Sequence, residues 1–134
     1  MQYLLLLYAD QNAGMQIPPE HMAKAMETLG AYQAALEKAG AFVMTSPLDL
    51  VQNARTVTME GGEVVQTSPG VFVNQGGEMK VHDGPYADTR EQLGGFYMIE
   101  CKSMAEAVDW AKKCPAAQWG PIEVRAMRAG FQTA

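Results

Sequence analysis

Histidine and cysteine are scarce in this chain, with two of each among 134 residues, and that scarcity removes several chemistries at once. His21 and His82 stand far apart, so no protein-only metal site is expected. Cys101 and Cys114 have neither C-x-x-C nor zinc-finger spacing, and two cysteines make no disulfide scaffold at this length, so they read as reduced thiols of a cytoplasmic protein. Charge is thin as well: 19% of residues are charged, the net charge is −5, and no basic run is present. Such a chain would repel a phosphate backbone, and nucleic acid is not an expected partner. No apolar run approaches the ~20 residues of a membrane span, so no membrane association is expected. The opening "MQYLLLLYAD" lacks the basic leader and small-residue cleavage site of a signal peptide and reads as a strand. A phosphate loop and a nucleophile elbow are missing too, and no cofactor is indicated.

What is present is apolar material in two periodicities. Apolar residues make up 48% of the chain, enough for a core in one domain spanning residues 1–134. Tyr3 to Tyr8 carries no polar alternation, so both faces of this strand need cover. "PPEHMAKAMETLGAYQAALEKAG" places Met22, Ala25, Met26, Leu29, Tyr32 and Leu36 at helical spacing between Pro18–Pro19 and Gly40. His21, in its first turn, reads as a solvated helix residue. A short strand follows over 41–44. Then "VTMEGGEVV" and "FVNQGGEMK" share a Gly-Gly-Glu core and read as two consecutive hairpins, each turning at its glycines. Residues 95–100 form a second strand apolar on both sides. "SMAEAVDWAKKCP" is a helix capped by Ser103 and Glu106, with Met104, Ala107, Val108 and Ala111 inward, stopped by Pro115. Residues 122–127 alternate as a strand with one polar face.

This order suits an α+β, ferredoxin-like βαββαβ sandwich with an inserted β-hairpin. Its four-stranded antiparallel sheet carries both helices on one face. The bare face calls for a second copy, sheet against sheet, and a homodimer is expected.

"DGPYADTREQLGGFYMIE" resembles the signature of the DGPF-type branch of the YCII-related proteins. Asp83, Gly84 and Pro85 stand in order, Tyr86 takes the place of the usual Phe, Asp88 holds the acidic position, and Thr89 to Gly95 follow in register. The likeness extends to "YLLLLYAD", "EAVDWAKKCPAA" and "IEVRAM". It implies a dimeric α/β barrel and a small cytoplasmic bacterial protein. For function it implies either proton-transfer chemistry, since a His–Asp pair is suggested as an active site in relatives and one performs a dehydrochlorination, or an accessory role beside extracytoplasmic-function sigma factors. The sequence departs from the pattern in the second hairpin, at Trp119, and at His82, where Thr is common.

The candidate catalytic residues are therefore Asp83, His82 and Asp10. On an extended strand His82 and Asp83 point to opposite faces and share a site only if the chain bends between them. Asp83 before Gly-Pro is also a natural turn former. Asp10 ends the first strand, where it either caps a turn or faces a cavity between sheet and partner. Tyr8, Tyr86, Tyr97 and Arg125 are the candidate substrate-binding residues. Asp88, Thr89 and Glu91 read as one capped helical turn. Two functions remain open: a cofactor-independent lyase or isomerase acting on a small molecule, or a non-catalytic small-ligand or protein-interaction module. An enclosed cavity with convergent titratable groups would favour the first.

Overall fold

The computed structural model describes residues 1–129, which fall into two compact units. The second is Asp49–Asp88, and the first is formed by the chain on either side of it.

In the first unit, β1 (Gln2–Ala9) leads through a single helical turn, α1 (Gln11–Gly14), to the long helix α2 (Pro19–Lys38), then β2 (Phe42–Pro47). After the second unit come β7 (Gln92–Glu100), α3 (Met104–Lys113) and β8 (Ile122–Ala126). The strands form one antiparallel sheet in the order β2-β7-β1-β8. That is the ferredoxin-like arrangement: each helix connects two parallel strands with one antiparallel strand between them. The fold class is α+β. The sheet is open at β2 and β8, and no barrel is closed among the described residues.

The core lies on the helix side of the sheet. Tyr3 and Leu5 of β1 and Tyr97 and Ile99 of β7 are buried, and the register sets Tyr3 beside Ile99 and Leu5 beside Tyr97. Tyr32 and Leu36 of α2 and Ala107 and Ala111 of α3 close over them. The Tyr32 ring meets Tyr97 edge-on at 5.3 Å, and its hydroxyl donates to the Trp110 carbonyl at 2.8 Å. A buried tyrosine tip thus finds its partner inside the fold. On the other side of the sheet Leu4, Leu6, Phe96 and Met98 are half-buried.

Helix α3 starts as its sequence dictates: the Ser103 hydroxyl accepts from Glu106 N–H, while the Glu106 carboxylate accepts from Lys102 N–H. Met104, expected inside, is exposed. The apolar stripe of α2 divides. Its C-terminal half is buried at Tyr32 and Leu36, but Met22 is 40% and Met26 62% exposed. The N-terminal half stands clear of close packing.

The second unit corrects the two-hairpin reading. Its strands are β3 (Arg55–Glu60), β4 (Glu63–Ser68), β5 (Val71–Gln75) and β6 (Glu78–Asp83), and β3 pairs with β6 while β4 pairs with β5. This is one long hairpin, turning at Pro69-Gly70 and keeping one register from Arg55↔Asp83 through Glu60↔Glu78 to Glu63↔Gln75. The two Gly-Gly dipeptides do not turn the chain; they face each other across a break in the ladder. A Cβ at Gly77 would come within 2.6 Å of the Gly61 carbonyl oxygen, and one at Gly62 would meet the Gly77 nitrogen at 2.6 Å. Gly61, Gly62 and Gly76 also have positive φ, a conformation glycine adopts without penalty. The repeated Gly-Gly-Glu is two halves of one crossing, which is why periodicity alone misread it.

Candidate functional site

Asp83 closes β6, and its carboxylate pairs with Arg55 Nε at 3.0 Å, directly across the ladder. It does not form the expected Asx-turn: the residue two positions on is Pro85, which has no N–H to give. Gly84 makes the bend instead, with φ 103°, its N–H donating to Ala54 O and its carbonyl accepting from the Thr56 hydroxyl. His82 stands opposite Thr56, on the other face of the ribbon from Asp83. Both residues are exposed, as is Tyr86.

Asp10, Tyr8, Tyr97 and Arg125 belong to the first unit. Asp10 is the N-cap of α1: one carboxylate oxygen accepts from Asn12 and Ala13 N–H at 3.0 and 3.3 Å, and the other meets Arg90 Nε at 3.4 Å. Tyr8 follows the bulge in the β1–β7 ladder, its N–H donating to Pro121 O. Arg125, on edge strand β8, pairs with Glu123 at 3.2 Å. Residues 88–91 form no helical turn; the Thr89 hydroxyl bonds the Glu91 carbonyl in an irregular link between β6 and β7. Among the described residues no group of three His, Cys, Asp or Glu is placed to hold a metal ion.

Of the candidates, Tyr97 lines the cavity described next, and the others do not. About 430 Å³ opens within the first unit, between the lifted N-terminal half of α2 and the sheet. The α2 wall is Met26, Leu29, Gly30 and Gln33, one helical face at i, i+3, i+4 and i+7 spacing. The sheet supplies Leu7 and Ala9 from β1, Thr45 to Pro47 from β2, and Gly94, Gly95 and Tyr97 from β7; Ala116 and Trp119 complete the lining. This is the helix-covered face, whereas the sequence reading looked for a pocket on the bare one.

The side chains of the lining are apolar but for Gln33, Thr45, Ser46, Tyr97 and the indole N–H of Trp119, and they include no carboxylate, histidine, lysine or arginine. Burial, and then the neighbouring Cys114 thiol, push the Tyr97 phenol up from its ordinary value; contact with Thr45 works the other way. Tyr97 therefore stays a neutral hydroxyl at physiological pH. Cys114, buried against Tyr32, is likewise pushed up, chiefly by burial, and as a protonated thiol it is a poor nucleophile.

Sequence reasoning missed most of this lining. Two signals were there: a glycine in the middle of α2, where helix propensity disfavours it, and Trp119, a large aromatic between α3 and β8.

Comparison with known proteins agrees with this picture in extent. The YCII-related domain family matches residues 1–129. An uncharacterised protein of Rhizobium meliloti (strain 1021) is 32% identical over 127 residues, covering 93% of this chain and 90% of the relative. With a match running from β1 through the long hairpin to the residues beyond β8, the chain belongs to the YCII-related domain family.

Proposed function

We propose that this YCII-related protein binds a small, largely apolar molecule in the cavity beneath α2 and does not transform it. The observation that carries this reading is the lining itself: about 430 Å³ of apolar space, within the usual size range of ligand pockets, and no charged or histidine side chain to move a proton. The candidate carboxylates are engaged elsewhere, Asp10 as a helix cap and Asp83 in an exposed ion pair. Tyr97, with its pKa raised, serves as a neutral hydrogen-bond donor in place of an acid–base group.

The reading extends to assembly. Leu4, Leu6, Phe96 and Met98 on the bare side of the sheet, with Met44 of β2 exposed at its edge, support a homodimer formed through that face.

The test is a fluorescence titration with neutral N-phenylnaphthylamine, followed by mass spectrometry of the recovered probe. Saturable binding, lost in a folded Leu29→Trp variant that fills the cavity, with the probe returned unchanged, is the expected result. Binding that never saturates, or that survives Leu29→Trp, refutes the assignment to this cavity.

A further inference from the structure

Resting on the ligand-binding reading, we infer that the cavity selects an uncharged, flat ring compound, and that Gly30 of α2 is the residue that sets this selectivity. The charge preference follows from desolvation. A carboxylate or ammonium group seated against this lining would give up part of its water for side chains that offer only the neutral groups of Gln33, Thr45, Ser46, Tyr97 and Trp119, and a charge desolvated without a partner is more costly than a neutral group that finds one hydrogen bond.

The shape preference follows from Gly30. Glycine destabilises a helix interior, so its presence there asks for a reason. The usual reasons fail: Gly30 does not have positive φ, and a Cβ built on it would meet nothing within 4 Å. No neighbour in the protein needs the space its missing side chain leaves, and Gly30 lines the cavity. Gly95, on the sheet wall, is different, since a Cβ there would come within 3.1 Å of the Ser46 carbonyl oxygen. The helix wall and the sheet wall of the cavity thus each include bare backbone, at Gly30 and at Gly94 and Gly95, and the indole of Trp119 lines the same cavity; main chain on both walls suits the two faces of a flat ring.

Calorimetric titration with three probes of similar bulk decides the matter: naphthol (flat, neutral), naphthoate (flat, anionic) and adamantanol (globular, neutral). Naphthol is expected to bind at least ~10-fold more tightly than naphthoate, since the anion must be desolvated. Adamantanol is expected to be weaker than naphthol by a similar factor, and Gly30→Val, which fills the gap over the ring, is expected to weaken naphthol by ~10-fold or more while the helical signal is kept. The inference falls, with ligand binding left standing, if the three probes bind the wild-type protein alike, if naphthoate binds best, or if Gly30→Val leaves naphthol affinity unchanged. Failure of every probe to bind the wild-type protein overturns the ligand-binding reading and this inference with it.

Discussion

Asp83 is the residue on which the sequence placed most chemical weight, and its surroundings make a quiet substitution the expected outcome. Its side chain is 83% exposed and holds a single cross-strand partner, Arg55. Asp83→Asn should lower stability by no more than ~0.5 kcal/mol, as for other exposed pairs, measured by urea denaturation. A larger loss would mean that the carboxylate carries more than this contact. The buried hydroxyls and thiol behave differently. Tyr32, Tyr97 and Cys114 all have pKa values raised, chiefly by burial. Because the folded state holds their protons more tightly than the unfolded chain does, their contribution to stability is complete at neutral pH. It is lost as pH rises past the ordinary thiol range near ~8.5 and then the phenol range near ~10. The melting temperature should therefore hold steady through neutrality and fall on the alkaline side, and Tyr32→Phe, though less stable for lack of its bond to Trp110, should show a shallower alkaline fall. An equally steep fall in that variant would locate the sensitivity elsewhere.

Among the elements, α2 and the long hairpin are where glycine decides the geometry, in opposite senses. Gly30→Ala adds a methyl group into open space and removes a helix-interior glycine, so a gain of ~1 kcal/mol is expected in chemical denaturation. Gly77→Ala drives a methyl group into the backbone of the facing strand. The ladder should open on both sides of the break, seen as faster amide exchange across β3 to β6 with α3 unaffected. Both consequences were half legible in the sequence. The 3.6-residue stripe located α2 but could not say which half is pressed onto the sheet, because spacing reports which residues share a face and not how close the opposing surface comes. The Gly-Gly-Glu repeat announced special backbone in two places. Pairing between distant strands decided that these places meet, and local turn chemistry carries no record of that.

For the whole molecule, the fold class was legible because β1 and β7 lack polar alternation, as suits the centre of the sheet where they lie, while the Glu123–Arg125 alternation marked β8 as a strand with one polar face. The cavity was not legible, since a void is a property of imperfect contact between elements. Two predictions belong to this scale. Light scattering at micromolar concentration should return twice the chain mass if the bare face pairs with a second copy, and a stable monomer would refute the dimer. Excising Glu63–Gln75 should leave Gly61, Gly62, Gly76 and Gly77 as a ready turn joining β3 to β6, with thermal unfolding of the first unit unchanged; loss of that transition would show that the outer arm supports more than itself. The sheet register also bears on how the chain is made. β1 is synthesised before the other strands of its sheet, yet its two neighbours are β7 and β8, with Leu5 paired to Tyr97 and Val124. At ~5–20 residues per second, the most apolar strand of the protein waits for roughly 5–20 s without either hydrogen-bonding partner, while the long hairpin, whose contacts are local, can already close. A nascent chain arrested before residue 92 thus presents "YLLLLY" with both edges open, and an apolar strand with unpaired edges is a template for association with other chains.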